Sequence, residues 1–178
     1  MEKGIYEGIK QRAIDISRHN GACKGGYHDL LKADGIGNLC LVLKKYWSDV
    51  VGMHKNDAFG FFDDLYPKHR EDFNRYEIFY NESSDRGFCL VNRGADLIFG
   101  GNAQVWLFGQ SEAKILGHAR CIVRDQSIVT AMNGAHVQLF DESSATILGY
   151  CYVHGNNNNI VECKAHAKII GCKIMNSK

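Results

Sequence analysis

Residues 95–155 decide the fold when written in rows of eight: ADLIFGGN, AQVWLFGQ, SEAKILGH, ARCIVRDQ, SIVTAMNG, AHVQLFDE, SSATILGY, CYVHG. The first column is small throughout: Ala95, Ala103, Ser111, Ala119, Ser127, Ala135, Ser143 and Cys151. The third is apolar, from Leu97, Val105 and Ala113 to Val153, and so is the fifth, from Phe99 and Leu107 to Ile147, before Gly155 breaks it. The seventh holds Gly101, Gly109, Gly117, Asp125, Asn133, Asp141 and Gly149, residues suited to tight turns or positive φ. Strand side chains alternate between faces, so positions one, three and five point inward along a five-residue strand and three residues turn the chain.

A second period lies beneath the first. Ala95, Ser111, Ser127 and Ser143 alternate with Ala103, Ala119, Ala135 and Cys151, and Gln110, Gln126 and Glu142 recur at sixteen-residue spacing as a side-chain ladder. The unit is therefore sixteen residues, two unlike strands forming one flattened coil, with residues sixteen apart stacked at about 4.8 Å. About four such coils fit between Ala95 and Gly155 by this arithmetic. Asn156–Asn159 is expected to interrupt the register as a loop, with the pattern resuming through Ala165, Ala167, Ile169 and Gly171.

Upstream, the pattern changes to helical. Ile5, Ile9, Ala13 and Ile16 lie on one face of a helix over 2–19, and the Gly-rich stretch 21–26 is expected to break it. A second helix is predicted over 38–51, with Leu39, Val42, Leu43, Tyr46, Trp47 and Val50 as its apolar stripe. A third runs from the Asp57 cap to a stop before Pro67. Residues 76–80 and 88–91 read as short strands around a polar turn. Trp47, Phe59, Phe61 and Phe62 are read as core, not as a cofactor pocket. The fold class is thus α+β: a helical domain over 1–92, ending in a strand pair and packed on a parallel β-solenoid over 93–178.

The repeat units Asn102-Ala103-Gln104-Val105-Trp106-Leu107-Phe108-Gly109 and Gly134-Ala135-His136-Val137-Gln138-Leu139-Phe140-Asp141 resemble those of small β-solenoid proteins encoded by gut Bacteroidales and their phages or mobile elements. The segments 29–47 and 76–79 are similar to the helical leader that precedes such repeats. The resemblance implies a host-directed accessory role by binding, including inhibition of a defence enzyme such as a CRISPR nuclease. It supplies no catalytic residues.

Composition narrows the function classes. The 178 residues carry a formal net charge of +1, 45% hydrophobic and 23% charged residues, which predicts a packed chain and argues against a polyanion binder. No stretch approaches the roughly 18–20 apolar residues of a membrane span. The first residues lack the apolar core of a secretory signal, and seven cysteines without metal-type spacing are expected to be reduced and mostly buried, as in the cytoplasm. The eight-residue period departs from the six-residue period of hexapeptide acyltransferases, and no nucleotide-binding, metalloprotease or nucleophile-elbow motif occurs. His118, His136, His154 and His166 are never sixteen apart, so no stacked metal column is expected. Asp125 and Asp141 are read as turn residues, and Ser111, Ser127 and Ser143 as bonded to backbone. No cofactor is expected.

What remains is surface. Gln104, Arg120, His136 and Tyr152 form one outward column; Trp106, Ile122, Gln138 and His154 form the next, flanked by Phe108, Arg124 and Phe140. Trp, Tyr, Phe and Arg are enriched in protein interfaces, so Trp106, Phe108, Arg120, Ile122, Arg124, Phe140 and Tyr152 are the candidate protein-binding residues. The alternatives are that the chain's own helices cover Trp106 and Ile122 and that Phe108 and Phe140 pack in corners, where the same repeat position holds Leu116, Met132 and Leu148. Two alternatives stand beside a non-enzymatic protein binder: a carbohydrate-binding or carbohydrate-active β-helix, and a nucleic-acid binder using Lys114, Arg120 and Arg124. Residues 165–175, apolar and β-prone, predict an edge that a homodimer would cover.

Overall fold

The computed structural model describes residues 3–52 and 55–176, and the chain divides into two compact units, Met1–Ile78 and Phe79–Lys178. Glu2, Ser177, Lys178 and the side chain of Ile5 lie outside the described residues.

The first unit contains α1 (Lys3–His19), α2 (Lys24–Lys32), α3 (Ile36–Lys45), α4 (Trp47–Gly52) and α5 (Lys55–Arg75). Its core is an aromatic cluster in which Phe62 lies 5.9 Å from Trp47, 5.5 Å from Phe61 and 5.7 Å from Phe73. Ile9, Ala13, Leu39, Leu43 and Trp47 are buried as the helical spacing predicts, whereas Ile16, Val42, Tyr46, Val50 and Phe59 are only half-buried and Val51, outside the predicted stripe, is buried.

Three helix boundaries differ from expectation. The Gly-rich stretch does not end in coil: Gly25 and Gly26 lie inside α2, which starts at the Cys23 cap, where Sγ accepts the Gly26 amide. A Cβ on Gly25 would stand 3.0 Å from Tyr46 Oη, so the bare backbone admits the Tyr46 ring, whose hydroxyl donates to Asp29 at 3.0 Å. The helix expected over 38–51 is two helices, because Tyr46 leaves helical geometry at φ −111, ψ 27. The third helix does not stop before Pro67. Proline's fixed φ is helical, but in a helix interior it removes a donor and crowds the carbonyl four residues earlier. α5 runs through Pro67, leaves helical geometry at His69 (φ −130, ψ 24) and resumes as a second helical segment to Arg75 that buries Phe73.

The second unit is the solenoid. β1 (Ile78–Tyr80), β2 (Phe88–Val91), β4 (Gln104–Leu107), β6 (Arg120–Val123), β8 (His136–Leu139), β10 (Cys151–His154) and β12 (Ala167–Ile170) form one sheet in that order. β3 (Leu97–Phe99), β5 (Glu112–Ile115), β7 (Ile128–Ala131), β9 (Ser144–Ile147), β11 (Ile160–Cys163) and β13 (Lys173–Asn176) form the other. Together they make about six turns, more than the four counted from the central repeat. Pairing is parallel and sixteen residues apart: Val105↔Cys121, Cys121↔Val137, Ala113↔Val129 and Val129↔Ala145.

Ala103, Ala119, Ala135 and Cys151 are fully buried in one inward column, and Ser111, Ser127 and Ser143 in the other. The serine hydroxyls bond to backbone, Ser111 to Phe108 O at 2.8 Å and Ser143 to Val123 O at 3.1 Å. The polar ladder forms as read, with Gln110 Nε2 donating to Gln126 Oε1 at 3.1 Å and Gln126 Nε2 to Glu142 Oε2 at 3.0 Å. Gly101, Gly109, Gly117, Asp125, Asn133 and Asp141 take positive φ at the turns.

The solenoid extends further in both directions than the central repeat suggests. β2 pairs with β4 through Phe88↔Gln104 and Val91↔Leu107, so it is a solenoid rung, and the boundary falls at 78/79 instead of 92/93. Ala95 is exposed, because Asp96 at φ 58 turns the chain and the strand starts only at Leu97. Asn156–Asn159 does not interrupt the register, since Ser144↔Ile160 and Tyr152↔Lys168 keep the sixteen-residue step. Asn159 occupies the small inward position sixteen residues after Ser143, fully buried, with Nδ2 donating to Asp141 O and Ser143 O at 3.2 and 3.1 Å. The last coil contracts: Ile160 pairs with Lys173. All seven cysteines are free thiols, with Cys40, Cys89, Cys121 and Cys151 buried.

Candidate functional site: the outer face of the seven-stranded sheet

Parallel pairing turns residues sixteen apart into columns. Gln104, Arg120, His136, Tyr152 and Lys168 make one; Leu90, Trp106, Ile122, Gln138, His154 and Ile170 make the next. Neighbouring rungs are only about 4.8 Å apart, so planar side chains in a column lie face to face. His136 and Tyr152 do so at 4.8 Å with an interplanar angle of 21°. Phe88, in register with Gln104, stacks diagonally across to Trp106 in the next column at 6.1 Å and 12°.

Exposure grades along the second column. Leu90 is fully buried, Trp106 and Ile122 are half-buried, and Gln138, His154 and Ile170 are exposed. The accessible part of this face is therefore the β6–β12 end. There a depression of about 130 Å³ is lined by His136, Gln138, Tyr152, His154, Lys168 and Ile170.

Of the seven candidate residues, Arg120 and Tyr152 are exposed in one column, one rung either side of His136. Phe108 is 1% exposed and packs in the corner, so it is not available to a partner. The same repeat position is half-buried at Leu116 and Met132 and exposed at Leu148. Phe140, two coils further at the same corner position of the β8 rung, is exposed and carries the guanidinium of Arg124, from the coil between, 5.2 Å over its ring. Arg124 Nε also sits 3.7 Å from Asp141 Oδ2, an ion pair that competes with any outside anion.

Tyr150 was not among the candidates. It lies in a turn, outside the strand alternation, yet is 55% exposed and packs edge-on against Tyr152 at 5.4 Å. Its hydroxyl donates to Tyr152 Oη at 2.9 Å, which holds its acidity below that of an ordinary phenol by raising the pKa. His154, which the repeat places in the second outward column, and Lys168, which lies past the break of the eight-residue columns at Gly155, also line the depression.

The opposite sheet exposes Ile128 and Ile160 one rung either side of Ser144. Lys114 stands on that sheet, in β5, whereas Arg120 stands in β6, so the basic residues Lys114, Arg120 and Arg124 do not form one patch. Among the described residues no cluster of three or more His, Cys, Asp or Glu has metal-holding geometry. No helix among them is long and apolar enough to cross a membrane.

Fold and face define the chain as a helical unit followed by a parallel β-solenoid with sixteen-residue coils and an aromatic outer face. Comparison with protein-family models, curated proteins and solved structures finds no match.

Proposed function

We propose that this chain is a non-enzymatic binding protein that engages a protein partner through the outer face of β6–β12. The observation that carries this reading is the cluster of three exposed rings in which His136 of β8 and Tyr150 of the preceding turn both pack against Tyr152 of β10. Rings fixed before binding lose little entropy when a partner arrives, and Tyr and Arg are over-represented where interfaces concentrate their energy. Arg120 and Lys168 bracket the rings in the same column and supply charge at the rim. The resemblance of the repeats to solenoids of phages and mobile elements gives the setting: a host-directed accessory protein in the cytoplasm, acting by binding and including inhibition of a defence enzyme such as a CRISPR nuclease.

The test is capture from a bacterial lysate by the full chain and by a Tyr152→Ala, His136→Ala double variant. One protein retained by the native chain and lost from the variant, with melting temperature unchanged, supports the reading. Equal capture by both places the contact elsewhere.

A carbohydrate-binding function is the second reading, favoured by the same ring cluster, since exposed aromatic faces also pack on the apolar faces of sugars. A glycan array read with the same double variant separates the two.

A second copy of the chain is proposed to cover the edges of β12 and β13, giving a homodimer. Each of these strands pairs on one side only among the described residues, and Ile170, Ile174 and Met175 on them are about half exposed.

A further inference from the structure

The outer face of the seven-stranded sheet has a charge pattern that its rings alone do not explain. Arg120, His136, Tyr152 and Lys168 stand in one column, with Gln138 and His154 in the next, and all are exposed. None of the strands of this sheet contains an aspartate or a glutamate, although the chain holds 20 of them. The opposite sheet mixes both signs, with Glu112 and Lys114 on β5 and Glu162 of β11 lying 3.2 Å from Lys164. Among the described residues Arg120 and Lys168 make no ion pair, unlike Arg124, which faces Asp141.

Every polar side chain lining the depression can donate a hydrogen bond. Tyr150 donates to Tyr152 Oη at 2.9 Å, which fills an acceptor site there and leaves the Tyr152 proton to be given outward. His136 and Tyr152 stack face to face at 4.8 Å, so they offer a partner their edges, where an aromatic ring is electropositive. Cationic head groups, ring edges and N–H groups converge on one requirement. The ligand must accept hydrogen bonds and carry negative charge.

Phosphates and carboxylates both meet it. A nucleic-acid strand also needs ring faces on which its bases stack, and His136 and Tyr152 turn theirs on each other. Alternate side chains of an extended peptide share one face, which suits a flat column of spaced cations.

We propose, resting on the protein-binding reading above, that this face recognises an acidic segment of its partner. Aspartate or glutamate carboxylates lie against His136, His154 and Lys168 in the depression and against Arg120 one rung beyond it.

The probes are a fluorescein-labelled peptide of alternating glutamate and serine, its glutamine counterpart, and labelled oligothymidylate, each titrated with the full chain. The glutamate peptide is expected to bind at least about tenfold more tightly than the glutamine one, because complementary charge is the only difference between them. Its affinity should fall from about 0.05 M to about 0.5 M salt as screening shortens the reach of the cations. Arg120→Glu with Lys168→Glu should abolish the preference at unchanged melting temperature, and Lys168→Gln alone should reduce it. Equal binding of the two peptides, no binding of either, an unaltered preference in the charge-reversed chain, or tighter binding of oligothymidylate would overturn the proposal. Capture from lysate separates this outcome from failure of the binding reading itself. A protein lost from the Tyr152→Ala, His136→Ala chain but kept by the charge-reversed chain removes the acidic segment and leaves the binding face standing, whereas capture kept by both overturns the two together.

Discussion

Asp125 Oδ2 accepts the backbone amide of Gly109 at 2.8 Å, one coil earlier in the chain. Asp141 repeats the contact on the amide of Asp125 at 3.1 Å, so two successive turns are tied by a carboxylate ladder along the solenoid axis. Asp125 itself stands at φ 56, where a short polar side chain is tolerated better than a methyl group.

Two effects therefore separate by substitution at Asp125. Asp125→Asn keeps an acceptor and tolerates positive φ, and should cost less than about 1 kcal/mol. Asp125→Ala loses the charge-assisted bond and strains the backbone, for a sum of about 2–3 kcal/mol. Urea denaturation of both variants measures the difference; an alanine variant as stable as the asparagine one would show that the ladder contributes nothing.

The same arithmetic explains what the sequence displays and what it hides. A solenoid stacks like on like, so the columns Ala103–Ala119–Ala135 and Ser111–Ser127–Ser143 appear directly in the written chain. The rung at β2 was harder to see because Leu90, an outward residue, is buried too. A strand covered on both faces reads as a continuous apolar run without alternation. Asn159 hides in a tetrad of asparagines that resembles a loop by composition, although its place sixteen residues after Ser143, followed by Val161 at the next inward position, marks it as core. Gly25 and Gly26 mislead for a tertiary reason, the approach of the Tyr46 ring. Repeat spacing also gives the direction of a side chain but not what covers it. That is why the outward columns are legible while the spacing leaves open whether Trp106 and Ile122 are covered and whether Phe108 and Phe140 pack in corners; the structure half-buries the first two, buries Phe108 and exposes Phe140.

Ala119 tests how tightly the inward column is packed. It is fully buried between Ala103 and Ala135, one rung away on either side. Ala119→Leu forces extra methylenes into that space and should destabilise the chain by about 1–3 kcal/mol. A shift in the denaturation midpoint at constant slope is the expected readout. An unchanged midpoint would mean that the coil is hollow at this level.

Buried thiols make stability fall at high pH. Burial pushes Cys40 and Cys89 from 9.0 up to about 12, and raises Cys121 as well. The folded chain then holds protons that the unfolded chain releases above the ordinary thiol value. Stability is full below that value and declines as pH rises toward about 12, by ~1.4 kcal/mol per pH unit for each such thiol. Cys89→Val matches the valine one rung on at Val105 and should reduce the slope by one thiol's share. Denaturant unfolding followed from about pH 8 to about pH 10 gives the slope directly; identical slopes for native and variant chains would remove Cys89 from the account.

The edge of the last rungs sets the association state. Ile174 continues the inward column from Val161, yet it is 50% exposed where Val161 is fully buried, because no further rung packs over it among the described residues. Ile170 and Met175 extend this apolar end on β12 and β13. An unpaired strand edge with apolar side chains is a template for another chain, and a two-fold dimer is the commonest way to close it. Lys168 and Lys173 are exposed on the same two strands, and charged residues at an edge oppose such pairing. The balance is expected to favour pairing, since each lysine can direct its head group to water while its stem lies along apolar surface. Light scattering should therefore give about twice the 20.0 kDa chain mass at micromolar concentration, falling on dilution. Ile174→Lys puts a third charge at the edge and should shift the mass to the monomer without loss of circular dichroism. A mass of 20.0 kDa for the native chain, constant across concentration, would show instead that the two lysines suffice to keep the edge unpaired.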